Sequence, residues 1–166
     1  SFLDERRYAL MVLNALVGGG MSSRLFQRIR EELGLAYNVF TYVDHSRDTG
    51  MFAAYMAVRP ATAGKALKAM REELGSLRNG GIRKDDLRDI REHIKGRILL
   101  GLETSSAHMM RLARNEITYG HQISEKELIR RIDSVTMDDV VALAEDVLDV
   151  DKYAIVSMGP SGAGLN

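Results

Sequence analysis

The sequence predicts an α+β fold, a mostly antiparallel sheet with helices layered on one face. Three observations carry that reading. Apolar residues recur at helical spacing over much of the chain, as at Ala63, Ala66, Leu67, Met70, Leu74 and Leu77. Two runs rich in β-branched and aromatic residues, 36–43 and 51–58, flank the polar stretch DHSRDTG, which predicts an antiparallel hairpin. A third such run, KYAIVSMG at 152–159, follows the helices. Strands that lie before and after a block of helices, instead of alternating with them, mark the α+β class.

Each element has its own signal. DERRYALMVLNALV (4–17) predicts a buried helix, with Asp4 and Glu5 placed where the helix dipole favours negative charge. Gly18, Gly19 and Gly20 stop it, and Ser22 or Ser23 can cap a second helix, SRLFQRIREEL. Leu25, Phe26, Ile29 and Leu33 share one side of that helix, and Gly34 stands where a C-terminal cap glycine belongs. After the hairpin come helices at 61–78, at 83–102 and from Thr104 or Ser105 to Ile117. Ser124 with Glu127, and Thr136 with Asp139, have capping-box spacing and open two more. Three strands make a small sheet, and a strand ahead of residue 1 would complete it better. The chain reads as a single domain, 1–166, with a tail at 160–166.

Composition narrows the function classes. The 166 residues are 45% hydrophobic and 28% charged, with 23 basic against 23 acidic side chains. This is a soluble globular profile, and a zero balance argues against nucleic-acid binding. Without cysteine there is no disulfide framework, thiol nucleophile or thiolate metal site. No apolar run is long enough to span a membrane. The opening SFLDERRYAL has no signal-peptide pattern, lacks an initiator Met and runs almost at once into a helix, which reads as a piece of a longer chain.

Motifs for chemistry are few. The histidines are His45, His93, His108 and His121, and none belongs to a paired-histidine zinc helix. Asp89 and His93 share a helical face, but no third ligand is in view, so a solvated polar face explains them. GGGMSSR has Met21 where a phosphate-binding loop needs Lys, and a helix precedes it, so a tight corner explains the glycines. Arg30 and Tyr37 stand out: one lies in the last turn of a helix, the other begins the next strand. Such a pair can present a guanidinium and a phenol to a carbonyl oxygen or oxyanion. The same spacing also suits an Arg at a helix C-terminus beside a Tyr packed at a sheet edge.

The words GGGMSSRLFQRIREELGLAYNV, GMFAAYMAV, EELGSLRNGGI and IKGRILLGLETSSAHMMRLARNEITYG, spread over residues 4–159, resemble the C-terminal domain of the insulinase and pitrilysin zinc metallopeptidases. Within that family the chain is most similar to the branch of mitochondrial processing peptidase and small bacterial processing proteases. The resemblance implies two related halves closing around an extended peptide, with the zinc motif in the N-terminal half and no metal or other cofactor site in this one. It implies that Arg30 and Tyr37 complete the active site across the cleft, holding the substrate backbone and stabilising the tetrahedral intermediate. Gly18, Gly19 and Gly20 stand where a non-catalytic relative carries a longer glycine loop, a weak pointer to substrate contact. The implied partners are an N-terminal zinc-binding half or homologous subunit, a peptide substrate, and a second copy of the chain; nucleic acid and membrane are not expected. A soluble protein of a bacterial cytoplasm is expected. The alternative function is a structural or assembly subunit of the same family. A nucleotide-binding module, resting on the glycines alone, is a third.

Overall fold

A computed structural model of the chain describes residues 1–160; beyond Pro160 the expected tail lies outside the described residues. Helix α1 spans Arg7–Gly18 and buries Val12, Leu13, Leu16 and Val17. Asp4 precedes it, accepting the Arg6 amide at 2.8 Å, so the acid stands just ahead of the helix and not in its first turn. At the far end α1 presses onto the sheet. A Cβ on Gly18 would lie 2.4 Å from the Thr41 amide nitrogen, and Thr41 Oγ1 donates to the Asn14 carbonyl at 3.1 Å.

The second helix differs from expectation. Residues Phe26–Glu32 are π-helical, with the Leu33 amide donating to the Arg28 carbonyl at 3.2 Å. The wider turn carries Leu33 off the apolar stripe, leaving it 39% exposed while Leu25 and Ile29 are fully buried. Neither serine caps it; the Ser23 hydroxyl donates back to the Gly20 carbonyl and braces the corner. Gly34 takes the left-handed conformation (φ 59°), which ends the helix as its position suggested.

Strands β1 (Ala36–His45) and β2 (Gly50–Val58) pair antiparallel. Val39, Thr41 and Val43 face Met56, Ala54 and Phe52 on the side packed against the core. On the opposite face Phe40 stacks with Tyr55 (5.0 Å between centroids) and lies near Tyr42. Helices therefore cover one face, as alternation in the strands requires.

The third strand does not form. A 3-10 turn at Val150–Lys152 is followed by residues 153–158 without strand pairing, and Ile155, Val156 and Met158 are exposed. Strand propensity is no substitute for a hydrogen-bonded neighbour, and among the described residues β1 and β2 pair only with each other. Tyr153 alone is anchored: its hydroxyl donates to the Val147 carbonyl at 2.8 Å, and burial pushes its pKa up to about 12.

The remaining helices are α2 (Ala63–Arg78), α3 (Lys84–Gly101), α4 (Ser105–Tyr119), α5 (Glu125–Ser134) and α6 (Met137–Val147). Leu74, Leu77, Leu87, Ile90, Ile94, Ile132 and Val140 join the α1 core. Arg24 ties the corner to α2 and α3 through Glu73 (2.7 Å), the Gly81 carbonyl (3.0 Å) and Asp86 (3.8 Å). Helix α4 lies with its polar side inward: Arg111 and Asn115 donate to the Ile123 carbonyl, while Met109, Met110, Leu112 and Ile117 face solvent.

The caps behave as spaced, with one difference. Thr136 and Asp139 form a reciprocal box, whereas Ser124 accepts the Glu127 amide but the Glu127 carboxylate turns to Arg130 and Arg131. Thr136→Ala is expected to cost about 1 kcal/mol, read by urea denaturation. The Thr136 hydroxyl holds the Asp139 carboxyl below its ordinary 3.8, and Arg83 does the same for Asp86. A depressed carboxyl stabilises the fold above its unfolded value, and this stability is lost as pH falls through the folded one. Unfolding midpoints should therefore decline below about pH 4, and less so in Asp139→Asn.

Candidate functional site

Two local irregularities set the geometry of Arg30 and Tyr37. Register passes from Ala36↔Val58 to Asn38↔Ala57, so Tyr37 is the extra residue of a β-bulge. A bulge re-aims side chains, and Tyr37 is 82% exposed at the start of β1. Arg30 lies on the π-helical segment, whose register differs from that of an α-helix. Together they bring the Arg30 guanidinium carbon 5.1 Å from the Tyr37 ring centroid and 4.7 Å from that of Phe26. Both contacts lie within cation–π range.

The pair is poor in other partners. Among the described residues the Arg30 guanidinium has only a 3.6 Å approach of Nε to Glu31, and its side chain is 37% exposed. A stacked guanidinium keeps its in-plane N–H donors available, and the exposed Tyr37 carries a hydroxyl donor beside it. Phe26, assigned from sequence only to an apolar stripe, thus lies beneath the guanidinium. The bulge itself carries no sequence signal that its propensities reveal.

Gly18, Gly19 and Gly20 lie along a groove of about 710 Å³ beside β1, which Phe26, Asn14, Arg97 and Ile98 also line. Gly18 has a packing reason, its contact with Thr41, and a Cβ on Gly19 would meet Ala15 Cα at 2.5 Å. At Gly20 the nearest atom to such a Cβ is 4.0 Å away, so space does not demand glycine there.

No group of three His, Asp or Glu side chains able to hold a metal ion occurs among the described residues. Asp89 pairs with Arg88 at 3.0 Å, and His108 lies 4.0 Å from Glu125. His45 stacks near Phe2, and burial lowers its pKa. These residues do not fit a zinc site. No helix among the described residues is long and apolar enough to cross a membrane.

Fold and element order define the class: an α+β domain with helices on one face of an antiparallel hairpin. The family described as peptidase M16 inactive domain matches residues 1–94. The chain belongs to that family. It is 44% identical over 145 residues to an uncharacterized zinc protease of Streptomyces coelicolor, covering 87% of this chain and 32% of that protein. An uncharacterized zinc protease of Mycobacterium leprae is 39% identical over 156 residues, 94% of this chain and 35% of the relative. The chain thus spans about a third of the length of these curated relatives. The crystal structure of a protease from Helicobacter pylori superposes with a TM-score of 0.79 at 23% identity, over 88% of this chain and 35% of that one.

Proposed function

We propose that residues 1–166 are the C-terminal, substrate-facing half of a zinc-dependent endopeptidase, and that Arg30 and Tyr37 hold the carbonyl of the bond being cut. The observation that carries this reading is the juxtaposition of two exposed donors by a bulge and a π-turn. The names of the relatives, zinc proteases about three times as long, support it. The metal's ligands then belong to polypeptide outside these residues, in a half that closes over this one.

The chemistry left to this chain is electrostatic. A carbonyl carbon under attack turns its oxygen into an alkoxide. Hydrogen bonds from the Arg30 guanidinium and the Tyr37 hydroxyl strengthen as that charge grows, and donors fixed before the reaction have no reorganisation to undergo. Phe26 and Tyr37 hold the guanidinium plane by stacking. The aromatic face of the hairpin, with Phe40, Tyr42 and Tyr55, offers apolar contact to an extended peptide.

Tyr37→Phe in the full-length parent enzyme isolates the hydroxyl, because the ring and its stacking remain. Cleavage of a fluorogenic peptide is expected to slow by about 10²-fold in kcat, with KM little changed. Turnover at the parent level would remove Tyr37 from the reaction. If the parent itself cleaves no peptide with zinc bound, the structural-subunit reading takes precedence.

A further inference from the structure

The groove beside β1 runs along the free edge of that strand. The consecutive residues Asn38–Val43 all line it. Alternate residues of a strand point to opposite faces, so a groove that meets every one of them follows the edge of the strand and not a face. β2 occupies the other edge, and among the described residues β1 has no second strand partner. Asn38 adjoins Tyr37, and Phe26, which lies under the Arg30 guanidinium, lines the same groove. The groove therefore begins at the candidate pair.

Arg97 of α3 marks its farther part. Among the described residues it is the only charged side chain in the lining. Its Nη1 donates to the Gly19 carbonyl at 3.3 Å. No carboxylate pairs with it among the described residues, whereas on the same helix Arg88 pairs with Asp85 and Asp89, and Lys95 with Glu92 and Asp133. Gly18, which precedes Gly19, lies against Thr41. That contact sets the guanidinium about four residues, or roughly 13 Å, along β1 from Tyr37.

We infer that the groove takes an extended peptide by strand addition to β1, and that Arg97 selects an acidic side chain in it, about four residues from the bond held at Arg30 and Tyr37. An open strand edge offers backbone hydrogen bonds that are indifferent to sequence. A single cation in an otherwise uncharged groove supplies the discrimination. A basic side chain at that position meets like charge, and an apolar one leaves the guanidinium without a partner. The inference rests on the reading of Arg30 and Tyr37 as carbonyl donors and adds the substrate feature that the site prefers.

The test reads binding, not turnover. The isotope-labelled chain is titrated with capped peptides of alternating Thr and Val that differ only in a central Asp, Asn or Lys. Amide NMR shifts report affinity and location together. Shifts over Asn38–Val43 are expected, with the Asp peptide bound about 5-fold more tightly than the Asn peptide, the scale of one partly exposed ion pair. Arg97→Gln should abolish that preference, and Arg97→Glu should transfer it to the Lys peptide. Absence of binding, equal affinities, a preference that survives Arg97→Gln, or shifts confined to β2 would overturn the inference. So would binding of decanoate in place of the peptides, which would give the groove to an apolar anion. Because no bond is cut in this experiment, its failure is told apart from a failure of the Tyr37→Phe test.

Discussion

Arg30→Ala in the full-length parent enzyme is expected to lower kcat by about 10²–10³-fold, the range for loss of a preorganised oxyanion donor. Zinc content, measured by elemental analysis, should stay at the parent level, since the described residues around Arg30 offer no ligand set. Stability should also hold. The side chain is 37% exposed and its only ion pair among the described residues is a 3.6 Å approach to neighbouring Glu31, a class of contact worth little. Its stacking on Phe26 and Tyr37 contributes at most about 1 kcal/mol at such a site. Arg30→Lys separates charge from shape. It keeps the positive charge but loses the planar fork, so it should recover only part of the rate. Parent-level turnover in Arg30→Ala would exclude the guanidinium from catalysis. Loss of zinc or a fallen melting temperature would instead make Arg30 a structural residue.

The second large effect concerns stability. Gly18→Val is expected to destabilise the domain by several kcal/mol. Two effects oppose each other here. Inside a helix glycine is about 1 kcal/mol worse than alanine, but Gly18 is the last residue of α1, so propensity favours replacement only weakly. Against this, any Cβ at Gly18 meets Thr41 at 2.4 Å from its amide nitrogen, 2.6 Å from Oγ1 and 2.8 Å from Cγ2. That nitrogen belongs to β1 and is not a flexible tip that swings aside. Overpacking a core with side-chain atoms alone already costs about 1–3 kcal/mol, and here backbone must move too. Gly75 serves as the control, because it lies within α2 with nothing within 4 Å of a notional Cβ. Gly75→Ala should raise stability by about 0.5–1 kcal/mol. Equal effects of the two substitutions in chemical denaturation would show that helix α1 does not press on the sheet as described.

Much of the architecture was legible because it rests on period and punctuation. The helical stripe of α2 and α3, the hairpin around DHSRDTG, the Gly34 stop and the Thr136–Asp139 box are all local patterns, and each appears in the structure. The failures share a cause. Residues 153–158 have strand composition, yet a strand exists only against a neighbour, and none is present among the described residues. The π-turn at Phe26–Glu32 reads as an ordinary helix because its apolar spacing differs from an α-helix by a single residue. Helix α4 forms where its cap signal places it, and its facing is set by tertiary contacts: Arg111 and Asn115 turn inward while Met109, Met110, Leu112 and Ile117 face solvent.

By itself, the sequence determined the α+β class, the order of the hairpin and the helices, and the two residue types set seven positions apart. Tertiary structure alone decided how Arg30 and Tyr37 lie: side by side and exposed, with Phe26 beneath the guanidinium. Periodicity reports which residues want burial, whereas a one-residue bulge in β1 and a widened turn before it depend on what the backbone packs against. That information resides in the contact between elements and not within either one.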